Sequence, residues 1–464
     1  MFLDFNTFQS IIKDHFYKVE LENIFNIVNF ALIEGFKSLQ PEILVNEQIC
    51  RKEDFIVIND FSFPIYNKKI FCVGGGKASM DILKALIPIL GHNYQKSILN
   101  VLPSQCNPDN MPKNTTFYPA GHPFPNESTF EGTKQQLLLL ESLTEDDIVF
   151  IIISGGASSL LEYPAESISF EDIIETYKVL VTSGLIIDNI NVIRKHLSQI
   201  KGGKLALRTK AQIIALYLSD VPNNDLGTIG SGPTIINQST IEDCLDIIAE
   251  ANLEEKLPIA VLKYLKDNKD QYHNETVKEI PNNTKIFNFL LGSNKNFISV
   301  MNRVFEIENI PSYICSYNFT GESSDLGIFL SKYCSYLYTS RPLILIWGGE
   351  SFTTIETKTL SKQSSGGRNQ ELILSFIISA LTLKSNMVSN SLLLSLATDG
   401  KDGNSVYAGG WFIVNENIYD QFSLKNLLKG LNEHNSSNTI PNKFLVKTGD
   451  TNTNIGDILI AVLF

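Results

Sequence analysis

The sequence predicts an α/β protein of two domains, each a three-layer arrangement of helices around a sheet, with a parallel sheet in the first. Its 464 residues are too many for one typical hydrophobic core and suit two. Short apolar runs alternate with amphipathic segments, which favours strand–helix–strand units. Most apolar runs end in glycine and polar residues, which is where open α/β sheets bind ligands.

Composition narrows the function classes. The chain carries 38 Lys and Arg against 50 Asp and Glu, a formal charge of −12, which argues against broad binding to nucleic acids or anionic membranes. The amino terminus lacks the pattern of a signal peptide, and no apolar stretch is long enough to span a bilayer. No cysteine belongs to a CxxC pair, and Cys72 and Cys315 lie in apolar runs. We therefore expect a soluble, cytoplasmic protein with buried free thiols.

Residues 5–39 have the apolar spacing of a packed helix pair, and the first strand–turn–helix unit follows at Ile70. Its strand ends in three glycines, including Gly75 and Gly76, and then Lys77. Such a turn brings backbone N–H groups, the positive end of a helix dipole and an ammonium to one place, which suits an anion. The alternative is a glycine-rich turn that only packs a helix on the sheet.

Proline and glycine exclude a helix from the loop at residues 119–128. His122 in this loop is a candidate acid or base, and the alternative is a histidine that only hydrogen-bonds the loop that holds it. A fully apolar strand follows at residues 147–153, as in a parallel sheet covered on both faces. Small residues after it can receive a phosphate or sugar-like oxygen, or form a plain capped turn; they include Ser154, Gly155, Gly156 and Ser158.

Residues 191–206 place four cationic side chains within eleven positions of an acidic protein. The spacing predicts a helix in which Arg194 and Lys201 share one face, ended by two glycines. The alternative is an ordinary solvated basic face. A third apolar strand, at residues 211–218, is followed by Asp220 and Asp225. A carboxylate here can bind a divalent metal, accept a hydroxyl proton or cap a helix.

The polar stretch at residues 268–284 predicts the domain boundary, with one domain over residues 1–282 and the other over 283–464. The second domain repeats the αβ pattern with strands near 286–291, 343–347, 392–397, 411–414 and 458–464. Arg368 opens a helix after two glycines, and Asp399 follows a strand. Two such domains facing each other would form a cleft lined by these loops.

Seven short motifs, in this order, resemble the class II glycerate 2-kinases with a MOFRL domain. They are GGGKAS at 74–79, SGGASS at 154–159, RKHLSQIKGG at 194–203, SDV at 219–221, SGPT at 231–234, GGRNQE at 366–371 and ATDG at 397–400. The resemblance covers residues 73–457, and the motifs are specific as a set. It implies a Rossmann-like parallel sheet, a mixed-sheet MOFRL-type second domain and a cleft between the two domains.

The resemblance also implies ATP-dependent phosphorylation of D-glycerate to 2-phosphoglycerate with Mg²⁺, and Lys77 and Arg368 as key cations with Asp220 near them. Two segments depart from the family pattern. Asp450 and Asn452 replace the proline and glycine of a Thr-Gly-Pro-Thr-Gly-Thr-Asn segment, and Asn224 replaces an aspartate. The departures leave nucleotide and metal contacts open, since one carboxylate is lost and another is gained.

Phosphoryl transfer needs positioning and positive charge more than covalent chemistry. We expect Lys77 and Arg368 to face each other across the cleft, because an arginine fork can hold a carboxylate or phosphate with two hydrogen bonds. Asp220 is the first candidate to orient or deprotonate the 2-hydroxyl. Other residues are expected to bind substrate or phosphate (Gly75, Gly76, Ser154, Gly155, Gly156, Ser158, Arg194, Lys201, Asn369) or the metal (Asp399, Asp225).

Three other functions stay open. A nicotinamide-dependent hydroxypyruvate reductase is disfavoured, because the glycines lack the GxGxxG spacing and no acidic residue follows at the expected strand end. A non-catalytic binder of small acids would need fewer cations and carboxylates. A kinase of a related hydroxy acid would keep the mechanism and change the substrate. The oligomeric state is also open, with a homodimer as one candidate.

Overall fold

The computed structural model describes residues 18–107, 111–219, 221, 224–269, 276–281, 284–337, 342–355, 364–383, 391–414, 422–451 and 453–464. The chain divides into two compact units. We call Pro41–Ser219 with Asn224–Gly292 the parallel-sheet unit. The described residues within Met1–Gln40, Asp220–Asn223 and Ser293–Phe464 form the mixed-sheet unit.

The helices and strands follow the predicted alternation. The helices are α1 (Lys18–Ser38), α2 (Pro41–Gln48), α3 (Ser79–Leu90), α4 (Glu127–Ser142), α5 (Ala157–Leu160), α6 (Phe170–Thr182), α7 (Ile187–His196), α8 (Ile241–Glu250), α9 (Ile259–Asn268), α10 (Asn294–Ile307), α11 (Ser323–Tyr336), α12 (Arg368–Leu383), α13 (Leu424–Asn432) and α14 (Ser436–Thr439). The strands are β1 (Ile49–Lys52), β2 (Phe55–Ile58), β3 (Phe61–Pro64), β4 (Ile70–Gly75), β5 (Tyr94–Val101), β6 (Thr115–Pro119), β7 (Ile148–Ile153), β8 (Gln212–Leu218), β9 (Ile286–Gly292), β10 (Ser312–Glu322), β11 (Leu343–Phe352), β12 (Ser391–Ala397), β13 (Gly409–Val414), β14 (Leu445–Val446) and β15 (Asp457–Leu463).

The parallel-sheet unit contains a six-stranded sheet in the order β6-β5-β4-β7-β8-β9. Every neighbouring pair in it is parallel. The chain enters at β4, moves outward to β6, then returns to β7 and moves outward on the other side. This is the strand order of a Rossmann-type doubly wound sheet, so the predicted fold class is confirmed. The strand order reverses between β4 and β7, the switch point at which such sheets bind ligands.

Layers on both faces of this sheet explain why its central strand is continuously apolar. All six residues of β7 are buried. Ile148, Phe150 and Ile152 pack in one core with apolar residues of α3. A second core lies among α4, α6, α7, α8 and α9, around the buried Tyr177. A small antiparallel sheet of β1, β2 and β3 belongs to the same unit.

The mixed-sheet unit contains a sheet in the order β10-β11-β15-β12-β13-β14. β10 runs parallel to β11, and the other pairs are antiparallel. The predicted strands of this half are confirmed. β12 and β15 are buried along their whole length, and apolar residues of α1, α10 and α12 share their core.

The structure divides the chain differently from the predicted boundary at residues 282 and 283. β9 completes the parallel sheet beside β8, so the first unit continues to Gly292. At the other end, α1 belongs to the mixed-sheet unit, because it packs on α10. The rings of Phe36 and Phe297 meet edge to face at 5.0 Å, and a Cβ on Gly35 would lie 2.9 Å from the Phe297 ring. A local apolar pattern predicts a helix but not its partner.

Two further properties follow from burial. Among the described residues, no helix combines the length and apolar character that crossing a bilayer requires. All six cysteines are free. Cys72 is buried in β4 as predicted, whereas Cys315 is exposed, because β10 is the edge strand of its sheet and its side chains alternate in burial.

Replacing Leu32 in α1 tests the revised boundary. Leu32→Ala should destabilise the mixed-sheet unit by about 2–5 kcal/mol, because it empties a fully buried position. Hydrogen exchange should show protection lost in α10 and β11 and retained in β4. Phe30→Ala, on the same helix with its ring half exposed, is the control and should change neither unit. Protection lost in β4 and β7 instead would support the boundary that the sequence predicts.

Candidate active site

At the switch point, the carboxyl ends of β4 and β7 approach too closely for side chains on β4. Gly74 and Gly76 have φ of +137° and +132°, a region that L side chains rarely adopt. A Cβ on Gly74 would collide with the Ile152 carbonyl, and one on Gly76 would collide with the Ser154 side chain. These glycines are therefore required by the packing of one strand end against the other.

Because of this packing, backbone N–H groups of the first glycine turn donate to acceptors within the protein. The Gly76 N–H donates to the Asn100 carbonyl at 3.2 Å, and the Lys77 N–H donates to the Gly155 carbonyl at 2.9 Å. The Ala78 N–H donates to the Ser154 hydroxyl at 3.0 Å. The N–H groups of Gly76, Lys77 and Ala78 therefore point at the protein, and the phosphate contact expected of Gly75 and Gly76 stays a prediction. Ser154 likewise serves as an internal acceptor.

A buried amide network holds the same strand end from the opposite side. The Gln136 side chain accepts from the Gly74 N–H at 2.9 Å and donates to the Gly74 carbonyl at 3.0 Å, as a neighbouring strand would. It also donates to Asn100 at 3.1 Å, and Asn100 donates to the Leu160 carbonyl at 2.7 Å. Neither amide is predicted from the sequence, because a polar residue inside a helix or strand carries no local signal of this role.

The second glycine turn keeps its donors available. Within the part of the chain that the structure describes, the N–H groups of Gly155 and Gly156 make no hydrogen bond. Gly156 has a φ of +80°, which suits glycine. The Ser158 hydroxyl has one long contact, 3.4 Å to the Ser231 hydroxyl. Successive unpaired N–H groups in such a turn form a concavity that binds anions.

The Lys77 backbone lies at this turn, and the Lys77 ammonium acts electrostatically on His122, which lies beside it. Lys77 is half-buried, and its backbone carbonyl accepts from the Gln105 side chain at 2.6 Å. None of the carboxylates in the described ranges forms an ion pair with its ammonium. Asp220, the predicted base, lies outside the described residues. The structure therefore brings Lys77 together with Gly155 and Gly156 and leaves Asp220 untested.

His122 lies beside the same turn. A Cβ on Gly156 would be 3.0 Å from the Cδ2 and 3.3 Å from the Nε2 of the imidazole. Burial of the ring lowers the pKa of His122 to about 4, and the nearby Lys77 ammonium lowers it further in the same direction. The imidazole is therefore neutral at pH 7, so it can accept a proton.

The basic segment differs from the predicted helix. α7 ends at His196, and Ser198 instead pairs with Pro164 in an isolated bridge, so Arg194 and Lys201 do not share a helical face. The Lys201 ammonium is fully buried. It lies 3.0 Å from a Glu162 carboxylate oxygen and donates to the carbonyls of Ser158 and Leu161, each at 2.9 Å. Its three donors are occupied, so the predicted ligand role of Lys201 is replaced by a structural one.

Arg194 belongs to the same buried group. Its guanidinium carbon lies 4.4 Å from the centroid of the Tyr177 ring, and the Tyr177 hydroxyl donates to Glu162. The side chain is 6% exposed, and its Nε has no hydrogen-bond partner among the described residues. Burial lowers the pKa of Lys201, and Glu162 opposes that effect. Glu162 gave no sequence signal, since its partners are distant along the chain.

In the mixed-sheet unit, Arg368 is paired with carboxylates. Its Nε and Nη2 donate to the two oxygens of the fully buried Asp457 at 2.7 and 2.9 Å. Its Nη1 lies 2.7 Å from Glu350. Burial alone would lower the pKa of Arg368, and Asp457 and Glu350 more than reverse this effect. The predicted key cation is thus neutralised within its own unit. Asp457 is the first residue of β15, directly before its apolar run, a position at which the sequence could have indicated it.

The first turn of α12 binds two buried carboxylates. The backbone N–H groups of Asn369 and Gln370 donate to Asp402 at 3.1 and 2.9 Å. The Asn369 amide donates to Asp457 at 2.9 Å and accepts from Ser395 at 2.5 Å. Burial raises the pKa of Asp402 to about 6. The predicted substrate contact of Asn369 is corrected, because both ends of its fully buried amide are occupied inside the protein.

The two predicted metal ligands differ in their surroundings. Asp399 is half-buried and accepts one N–H, from Lys401 at 3.0 Å. Both Asp225 oxygens hold their own turn, accepting from the Gly227 N–H at 3.1 Å and the Thr228 hydroxyl at 2.7 Å. Across the described ranges, no three His, Cys, Asp or Glu side chains converge as a metal cage. Asp399 leaves one oxygen for a Mg²⁺ ion that keeps most of its water, whereas both Asp225 oxygens are engaged in their own turn, and the metal roles of both residues stay predictions.

The departures from the family pattern lie in loops. Asn224 has a φ of +54°, which asparagine tolerates. Asp450 is exposed, and Asn452 lies outside the described residues. The loop containing Asp450 is tied to the end of β12, because the Thr398 hydroxyl donates to Gly456 at 2.7 Å and accepts from the Ile455 N–H at 2.9 Å.

Comparison with known proteins gives consistent matches. A family model described as a domain of unknown function (DUF4147) matches residues 29–266, and that of the MOFRL family matches residues 343–457. A glycerate 2-kinase of Pyrococcus horikoshii is 34% identical over 93% of this chain and 95% of its own. A D-glycerate 2-kinase of Thermotoga maritima is 31% identical over 85% of this chain and 91% of its own. A crystal structure of glycerate kinase from T. maritima is similar with a TM-score of 0.77 and 28% identity, covering 96% of this chain and all of its own.

Lys201→Met tests the structural role of the buried pair. It should destabilise the protein by about 3–5 kcal/mol in denaturant titrations, because Glu162 is left buried and unpaired. Replacing Glu162 by leucine as well should restore much of the loss. Lys178→Met, which breaks an exposed pair with Glu175, is the control and should cost under about 1 kcal/mol. A fully stable Lys201→Met with weakened substrate binding would support the ligand role instead.

Arg368 and Asp457 should be strongly coupled. Arg368→Ala should destabilise the protein by about 3–5 kcal/mol, because Asp457 stays buried without its charge partner. A double-mutant cycle with Asp457→Ala, measured by chemical denaturation, should give a coupling above about 1 kcal/mol. Glu350→Gln, which removes the more exposed partner, should have a smaller effect. Additive effects of the two alanine substitutions would contradict the structural assignment.

Proposed function

Because this chain belongs to the glycerate 2-kinase family, we propose that it transfers the γ-phosphoryl group of ATP to the 2-hydroxyl of D-glycerate at the switch point of the parallel-sheet unit. One observation carries the location. The Lys77 ammonium, free of carboxylates in the described ranges, accompanies two unpaired N–H groups, those of Gly155 and Gly156. Backbone donors and a lysine are also the parts that phosphate sites of other nucleotide enzymes use.

Lys77 and the second glycine turn have complementary tasks. Hydrogen bonds to a charged group contribute about 1.5–3 kcal/mol each, and donors fixed in place need no rearrangement as charge develops in the transition state. A mobile ammonium can follow the phosphoryl group from donor to acceptor. We assign the Gly155 and Gly156 N–H groups to hold phosphate oxygens and Lys77 to neutralise the transferring group.

Mg²⁺ is the cofactor that we propose with ATP. Asp399 would hold it, as the predicted carboxylate that its own turn does not saturate. The bound ion would neutralise phosphate charge during transfer. Two roles stay predictions. Asp220 would orient the 2-hydroxyl, and Arg368 would be a second cation acting on the same substrate as Lys77. For Arg368, the remaining N–H groups would have to act while Asp457 and Glu350 hold the others.

One assay distinguishes the proposed kinase from the alternative, a hydroxypyruvate reductase. The protein is incubated with ATP, Mg²⁺ and D-glycerate, and phosphorus and carbon NMR identify the phosphorylated carbon. A parallel reaction with hydroxypyruvate and NADH measures hydride transfer. We expect 2-phosphoglycerate in the first reaction and no NADH oxidation in the second. The reverse result would exclude the kinase. A cytoplasmic location and a homodimer stay predictions, which cell fractionation and light scattering would check.

Lys77→Ala should lower kcat by at least about 100-fold with little change in melting temperature, because the ammonium acts on the transferring phosphoryl group rather than on packing. Steady-state kinetics and thermal denaturation measure the two effects. Lys69→Ala is the control, since this exposed lysine lies just before the other end of β4. An unchanged rate for Lys77→Ala would remove Lys77 from the mechanism.

A further inference from the structure

The loop that carries His122 is built into the switch point. The Ala120 N–H donates to Val101 at 2.9 Å, and the Gly121 N–H donates to the Thr129 hydroxyl at 3.0 Å. The Ser159 hydroxyl donates to the Pro123 carbonyl at 2.6 Å. The last of these bonds joins the loop to the second glycine turn. The position of His122 is therefore fixed relative to the proposed phosphate site.

The imidazole itself takes no part in holding this loop. Within the described chain, His122 forms no hydrogen bond. A histidine that only supports its loop would form such bonds. His122 lies at the surface, but its ring is partly buried, and the Cδ2–Nε2 edge lies against Gly156. A side chain on Gly156 would press on this edge, at a φ that is already unfavourable for other residues. The imidazole therefore lies beside Gly156, can be reached by a substrate and has no hydrogen bond to the described protein.

We propose that His122 is the general base of the transfer and takes the proton of the glycerate 2-hydroxyl; this assignment rests on the proposed function. The 2-hydroxyl oxygen forms a bond to the γ-phosphorus, and the bond from that phosphorus to the β–γ bridging oxygen breaks. ADP leaves with the bridging oxygen and its electron pair. The hydroxyl proton moves to the unprotonated imidazole nitrogen, which gives 2-phosphoglycerate and an imidazolium.

The charge of Lys77 makes this base responsive to the nucleotide. Lys77 is the charged group that acts on His122 from the elements packed around it. In the free enzyme, partial burial of the ring disfavours the imidazolium most, and the Lys77 charge adds to this effect, so the histidine is a weak base. The γ-phosphate brings negative charge to Lys77, which offsets this effect and raises the pKa of His122 towards the neutral range. The base therefore gains strength when ATP is in place.

Histidine NMR tests the coupling without relying on turnover. The imidazole Cε1–H signal of His122 is assigned by its loss in His122→Gln and followed through a pH titration of the wild-type protein. We expect a pKa near 4 in the free enzyme. It should rise with Mg²⁺ and β,γ-imido-ATP, and also in Lys77→Met without nucleotide. A pKa near 6.5 that neither change moves would overturn the proposal.

Kinetics tests the role in proton transfer. His122→Gln should lower kcat by about 10²–10⁴-fold with a much smaller change in the KM for ATP. It should also remove the acidic limb of the kcat profile against pH. His92→Gln, at an exposed histidine of the same unit, is the control and should match the wild type. A fully active His122→Gln, together with an inactive Asp220→Asn that lacks the limb, would assign the base to Asp220.

Different results would contradict the kinase activity and the role of His122. If the wild-type protein forms no 2-phosphoglycerate from ATP and D-glycerate, the proposed function is wrong. If it forms that product while His122→Gln keeps the wild-type rate and pH profile, the function stands and the role of His122 is wrong. Circular dichroism and the melting temperature of His122→Gln must match the wild type, and the titration of the wild-type protein decides the question where they do not.

Discussion

The close approach of β4 and β7 at the switch point is the constraint on which the rest of the site depends. Because Gly76 lies against Ser154, the turn after β4 donates its N–H groups to the protein. The turn after β7 then carries the unpaired ones, and the Gln136 amide keeps the β4 end from shifting. One of the two glycine turns is used for packing, and the other keeps its N–H groups for a ligand. Which turn does which depends on how β4 and β7 pack together.

Buried carboxylates decide what the cations of this protein can do. Glu162 holds Lys201, and Asp457 holds Arg368, each within its own unit. A buried charge that loses its partner is strongly destabilising, so such pairs are poor candidates for mobile ligand contacts. Lys77 differs, because no described carboxylate neutralises it. The same absence explains why its charge reaches His122 and disfavours the imidazolium there.

The coupling of Lys77 and His122 gives the proposed site an order of events. An imidazole that is partly buried beside an uncompensated ammonium is neutral at pH 7 and weakly basic. Anionic phosphate at the ammonium strengthens the base and supplies the electrophile in the same step.

The sequence alone determined the α/β class, the central buried strands and the glycine turns, because apolar periodicity and glycine punctuation are local signals. It also placed Lys77 at a strand end. Only the tertiary structure decided that α1 belongs with the mixed-sheet unit, that Lys201 and Asn369 are internal, and that His122 is unengaged. Each of these depends on a partner far along the chain, such as Glu162 or Asp457. Spacing along the chain does not reveal such partners, because which charges and donors neutralise one another is settled by packing.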